Sequence, residues 1–359
     1  MKLRGGLLMA VMFAGLTASP LCAGSGSDAA AFLKINAGAR AAAMGGAFTA
    51  AGDDASSVFY NPAGPALARS QELMLSHSEW LAGLKNEHAA YILPVSPRLT
   101  LFTGITALIS PSLDRYDSFG NKTGSFSAMD GAAGAGLSWA FSRDLFGGVL
   151  AKTVYQQADS RKAFAYAGDF GLIKTIGDRV RLGVSAQNFG TRLNLYSESF
   201  DPPLTYRGGA AYRIGDMSWL TAEAVKAGQS AAAFAAGAEA GYSYGRKEAV
   251  FGRLGYMTGR SKNAGSGFSA GAGLRSNDLQ IDYAFSPFGD LGDTHRITLT
   301  LKFGEDRGEL SQDRRVKKTY RAGKPPSQAQ KSASPDKGRK PAKGSKSSGK
   351  EEAPVYFMW

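Results

Sequence analysis

The 359-residue chain holds one cysteine and three histidines, and beyond its first two dozen positions it has no long apolar run. Each scarcity excludes something. The lone Cys22 lies at the end of a leader: Lys2 and Arg4 open it, Leu7 to Leu16 form an apolar core, and Leu21-Cys22-Ala23 offers a cleavage site ending on a small residue. Residues 1–23 therefore read as a secretory signal peptide. The apolar core is too short to span a bilayer as an anchor, and Leu21 before the cysteine argues against a lipoprotein site. Cleavage after Ala23 leaves no cysteine, which excludes disulfides, thiol catalysis and cysteine-ligated metal.

His77, His88 and His295 fall on different predicted strands, with no HxH or HExxH spacing. No metal and no cofactor are expected from them. A GxSxG elbow is absent, and the glycine-rich stretches Gly131 to Gly136, Gly265-Ser-Gly267 and Gly271-Ala-Gly273 lack the Lys-Ser/Thr of a phosphate loop. Those glycines are expected at small lumen-side or bulge positions, where another backbone comes close. No catalytic residue is assigned, and the chain is not expected to be an enzyme. No later segment approaches the ~20 apolar residues of a membrane helix. A mature exported chain of this kind is either soluble or a β-barrel.

What is present is alternation. From residue 70 onwards, fourteen strands are expected: 70–79, 86–95, 99–110, 128–141, 145–158, 163–176, 179–188, 204–214, 218–226, 231–244, 249–257, 266–275, 278–285 and 294–303. Their length, about ten residues, suits a tilted strand crossing a bilayer. In the last, Ile297, Leu299, Leu301 and Phe303 share one face, opposite Arg296, Thr298, Thr300 and Lys302. Tight turns such as Ser96-Pro97-Arg98 and Gly177-Asp178 alternate with longer loops at 80–85, 111–127, 189–203, 258–265 and 286–293; the connections near 159–162 and 227–230 are short exceptions. That alternation and an even count fit a closed all-β transmembrane barrel, with no unpaired edge and with both ends on the short-turn side. Trp80, Tyr91, Trp139, Phe141, Tyr155, Tyr206, Trp219, Tyr256, Tyr283 and Phe303 lie near strand ends, as interfacial girdles require.

Residues 24–69 differ from the strands. They are rich in Ala and Gly, carry the pair Asp53-Asp54 and close on Asn61-Pro62-Ala63-Gly64. Ala37 to Ala51 is expected as a loose helix containing Gly45 and Gly46, Asp53 or Asp54 as a cap, and the whole segment as a plug inside the barrel. Arg181, Arg207, Arg253 and Asp282 are expected to face the lumen, either holding the plug or lining a path for an anion.

The formal charge of +12 is uneven. Residues 304–359 hold 14 Lys/Arg against 7 Asp/Glu and the leader adds +2, leaving +3 on residues 24–303. The high pI belongs mainly to the tail, so nucleic acid is not an expected partner. The tail has a disordered composition and ends abruptly on Val355-Tyr-Phe-Met-Trp359. Its lysines suit an anionic wall polymer such as peptidoglycan, or an acidic periplasmic partner.

The run Phe32 to Ala50, then Asp53-Asp-Ala-Ser-Ser-Val-Phe-Tyr-Asn-Pro-Ala-Gly64, resembles the N-terminal signature of the PorV/PorQ family, which is similar to the wider FadL-type group of outer-membrane barrels. Gln187-Asn-Phe-Gly190, Pro202-Pro-Leu204 and Asp282 to Arg296 resemble its C-terminal half, so the likeness spans residues 31–303. It implies a fourteen-stranded barrel in outer-membrane lipid with Asn61, Pro62 and Ala63 in the plug. It also implies secretion-system or other envelope proteins as partners, as for PorV, or a channel for hydrophobic molecules, as for FadL. The basic tail departs from the family pattern and suggests a third role, a structural barrel tied to the wall.

Overall fold

The computed structural model describes residues 29–304 except 196–197 and 261–263; the expected signal peptide, the residues up to 28 and the basic tail from 305 lie outside the described residues. The barrel strands are β1 (Gln71–Glu79), β2 (Lys85–Pro94), β3 (Leu99–Ile109), β4 (Ala128–Ala140), β5 (Leu145–Ala158), β6 (Arg161–Ile176) and β7 (Val180–Gly190). They continue as β8 (Thr205–Gly215), β9 (Ser218–Ala227), β10 (Ala233–Ser243), β11 (Ala249–Met257), β12 (Phe268–Ser276), β13 (Leu279–Pro287) and β14 (Asp293–Phe303). Each pairs antiparallel with its neighbours, and β1 closes the ring on β14 with Gln71 opposite Phe303 and Glu79 opposite His295. Two small hairpins, Leu113–Tyr116 with Lys122–Phe126 and Leu193–Leu195 with Glu198–Phe200, rise from long loops.

The polarity of the wall is inverted relative to a water-soluble sandwich. Thr294, Arg296, Thr298 and Thr300 of β14 are buried inside, whereas Ile297 and Leu301 stand outside, the former 54% exposed. Gln280 and Asp282 of β13, and Ser185 and Gln187 of β7, are likewise internal, while Ile281 and Val184 face out. Alternation with the apolar face outward is the distribution of a barrel that meets hydrocarbon. Trp139, Phe141, Tyr206, Tyr256, Tyr283 and Phe303 are exposed on that outer surface. Trp219 is not: it is buried in the lumen beneath the Arg181 guanidinium, whose Cζ lies 4.5 Å from its ring centroid. Its place in the strand phase with Thr221 and Glu223 explains this, because all three share the inward face. Trp80 also departs from a girdle, packing edge-on against Phe288 of the β13–β14 loop.

Residues 29–70 lie inside the barrel and run its length. Phe32 and Ala30 pack with Ala163, Ala165 and Leu193 at the long-loop end. The chain then descends to Ala63 and Ala66, which bond to Ser138 near the short turns, before entering β1. The expected helix over 37–51 is only one turn, α1 (Ala39–Ala43). Gly45 and Gly46 end it at φ +67° and +81°, where the chain turns within contact of the β11 backbone. A Cβ on Gly45 would sit 2.8 Å from the Tyr256 amide nitrogen, and one on the facing Gly255 would overlap the Gly45 amide.

Candidate functional site

The lumen side chains meet the inner segment in two regions. The first lies towards the short turns and is built on charge. Arg40, on α1, donates to Asp53 (2.7 Å), Asp54 (2.7 Å) and both oxygens of Glu239 on β10 (2.7 and 2.8 Å). Glu239 also receives Arg253 of β11 at 2.6 Å, and Arg253 reaches Asp282 of β13 at 2.7 Å. Arg181 of β7 approaches Asp53 at 3.2 Å. Burial pushes the Asp53 carboxyl up, but the Arg40 and Arg181 guanidiniums outweigh it and hold it well below the usual carboxylate range. Three guanidiniums and four carboxylates thus form one chain of contacts from wall to inner segment and back.

Backbone groups of the inner segment are satisfied by the wall as well. Glu223 of β9 accepts from the N–H groups of Phe48 (2.9 Å) and Thr49 (2.8 Å), and pairs with Arg207 of β8 at 2.8 Å. Asn61 donates to the carbonyls of Thr49 (3.0 Å) and Leu172 (3.2 Å) and accepts from Ala63 N–H (3.0 Å). Asp54 caps the 3-10 turn Ala55–Phe59, accepting from Ser56 N–H. A non-regular segment in a lumen needs such partners because each unpaired buried amide is costly.

Gly45, Gly46, Asp53, Asp54, Asn61, Pro62, Ala63 and Gly64 all lie in the lumen; Arg181 meets Asp53 directly, whereas Arg207 reaches the inner segment through Glu223, and Arg253 with Asp282 through Glu239. Arg40, Glu223, Glu239 and Ser138 complete the arrangement and were not singled out from sequence. The signal for them existed: Glu223 and Glu239 are acids on the inward phase of their strands. The glycines divide. Gly271 meets Ala43 of the inner segment, but Gly131, Gly134 and Gly136 face neighbouring wall strands and Gly265 and Gly267 lie in a loop.

The second region lies towards the long loops. Between residues 32–37 and 58–60 of the inner segment and strands β2 to β8 is a cleft with about 630 Å³ of space not filled by atoms, part of it open to solvent. Phe32, Leu33, Ile35, Val58, Phe59 and Leu150 give it apolar walls; His88, Thr106, Gln187, Arg207 and the Lys152–Asp169 pair add a few polar points. His88 is buried with neither ring nitrogen bonded, its ring edge-on to Phe59 at 5.1 Å. Asp169 sits where the register between β6 and β7 shifts, bonded to Lys152 Nζ and to the N–H of Asn188. Among the described residues no group of three or more His, Cys, Asp or Glu is placed to hold a metal ion.

Solved structures share this architecture. The Ralstonia pickettii toluene transporter TbuX superposes with a TM-score of 0.53 at 14% identity, covering 75% of this chain and 99% of that one. A Pseudomonas aeruginosa FadL homologue gives 0.52 at 12%, with the same coverages. The CymD monoaromatic hydrocarbon channel gives 0.56 at 12%, covering 76% and 98%. The chain has the fold of FadL-type barrels. Residues 19–128 match the family described as Uncharacterised protein family UPF0164. No curated protein matches the chain.

Proposed function

We propose that the chain is an outer-membrane channel for small hydrophobic molecules, with residues 29–70 as its gate. The observation that carries this is the cleft at the long-loop end, apolar on most sides and closed below by the inner segment. A pocket with mainly apolar walls and a few converging polar groups is what a small organic ligand requires. The relatives of the same fold are a toluene transporter and a monoaromatic hydrocarbon channel, which supports the reading. Export by the leader, insertion with the short turns in the periplasm and residence in outer-membrane lipid belong to it. The role requires no bond-breaking chemistry. The test is uptake of radiolabelled toluene by cells with and without the gene: the channel predicts uptake that falls on deletion and returns with the full chain, and uptake unchanged by deletion rejects it.

A second reading follows from the likeness of Asp53 to Gly64 to the PorV/PorQ signature: a barrel that serves protein secretion or surface attachment through envelope partners. It predicts co-purification with other envelope proteins from detergent-solubilised outer membrane and loss of surface cargo on deletion. In the tether reading, the basic residues of 304–359 hold the barrel to peptidoglycan. Truncation after residue 303 with unchanged peptidoglycan pull-down would remove that reading.

A further inference from the structure

A smaller cleft lies at the long-loop end between the inner segment and strands β11 to β14, with about 320 Å³ of space not filled by atoms, part of it open solvent. Arg296 of β14 and Arg260, just beyond β11, both line it, with Trp80 and Phe288 forming an aromatic corner whose ring centroids are 5.2 Å apart. Arg296 is 5% exposed, and its Nε and one terminal nitrogen have no partner. Arg260 uses one nitrogen on the Pro287 carbonyl at 2.7 Å, and its guanidinium stacks on Phe288 at 3.9 Å. Among the described residues neither arginine has a carboxylate within ion-pair distance. This is unlike Arg40, Arg181, Arg207 and Arg253, each of which has one or more. Leaving a buried guanidinium without an acceptor is costly. The orphaned donors extend sideways: Ser78 of β1 and Asn86 of β2 stand in register beside Arg296, fully buried, and their side-chain polar atoms are unbonded too.

We propose that Arg296 and Arg260 bind the carboxylate of a small aromatic acid, with its ring against Trp80 and Phe288. A guanidinium fork matches a carboxylate in two parallel hydrogen bonds. Two cations at one aromatic-walled cleft select an anion that also carries a ring. The inference rests on the channel reading and names a substrate class for it: aromatic carboxylates are recognised here, whereas a neutral hydrocarbon occupies the larger cleft, which Arg296 does not line.

The test is calorimetric titration of the purified full chain in detergent with benzoate, toluene and inorganic phosphate. Benzoate is expected to bind more tightly than phosphate. Arg296→Gln is expected to weaken benzoate by at least about tenfold, and Arg260→Gln by about threefold, with toluene unchanged in both. Arg296→Lys, which keeps the charge and loses the fork, should fall between wild type and Arg296→Gln. Heat-modified gel mobility checks that each variant is a folded barrel, and where Arg296→Gln is not, the other two variants carry the test. Benzoate binding insensitive to these substitutions, or phosphate binding as tightly as benzoate, would overturn the proposal. Arginine-dependent benzoate binding without any toluene binding would sustain it while removing the hydrocarbon channel.

Discussion

The two ends of the lumen solve opposite problems. Towards the short turns, nearly every charge has its counter-charge: Arg40 is bound by three carboxylates, and Glu239 by two guanidiniums. Towards the long loops, His88 and Thr106 border the larger cleft and Arg296 the smaller one with polar atoms unbonded, and Ser78 and Asn86, in the same row as Arg296, are buried and unbonded too. Densely paired polar networks rigidify, and in this one a terminal nitrogen of Arg253 is unbonded, whereas a cluster of orphaned groups awaits a partner. On the proposed channel reading, the short-turn end is a lock on the inner segment and the long-loop end a receiving site. Passage would then have to break the lock, so the lock's strength would set the gating cost.

The largest expected effect follows from Arg40→Ala, which leaves Asp53, Asp54 and part of Glu239 without their shared cation. Removing one partner of a buried ion pair costs on the order of 3–5 kcal/mol. We expect the inner segment to detach and single-channel conductance to appear in planar bilayers. A variant as closed and as heat-resistant as wild type would refute the lock.

Gly255→Ala attacks the same closure without touching charge. The new methyl would overlap the Gly45 amide, and relief requires the inner segment or β11 to move. Overpacking of this kind costs roughly 1–3 kcal/mol. The expected outcome is faster proteolysis within residues 29–70 of the purified barrel, with the strands still intact; unchanged proteolysis would mean that the approach is looser than the geometry indicates.

Acid provides a third way to loosen the lock. The folded Asp53 carboxyl lies below its unfolded value, so its contribution is complete above the ordinary carboxylate pKa of about 3.9 and is lost as pH falls through the lower folded value. Closure should hold at pH 5 and weaken only below about pH 4. Asp53→Asn should be less stable at neutral pH and show a smaller further loss on acidification. Conductance that rises already between pH 7 and 5 would assign the gate to another group.

How much of this was legible beforehand differs between wall and contents. The strands could be placed because a bilayer forces a two-residue period on each of them, and β14 declares its faces through Ile297, Leu301, Thr298 and Thr300. The interior obeys no such period. Its short helix ends at Ala43, although the alanine run looked continuous, because Gly45 and Gly46 turn the chain at positive φ where it meets the Tyr256 backbone. Arg40 reads as one cation among alanines until the fold brings Glu239 to it across 199 positions. Trp219 stands near a strand end as a girdle residue does, but its phase with Thr221 and Glu223 turns it inward. Long-range ion pairs and close backbone approaches are decided by tertiary geometry, which is why the lock was less readable than the wall.

The mildest change separates the receiving end from the lock. Phe59 borders the large cleft and packs edge-on to the unbonded His88. Phe59→Ala widens that cleft and removes aromatic surface, while Arg40, Asp53 and Glu239 keep their contacts. Losing an edge-to-face aromatic contact is worth about 0.5–1.5 kcal/mol, so toluene affinity should fall by roughly three- to tenfold with conductance still closed. Should Phe59→Ala instead open the barrel, the two ends would be one cooperative unit: a ligand entering beside Phe59 would then act on the Arg40 network directly, and the gate would be sprung by the cargo itself.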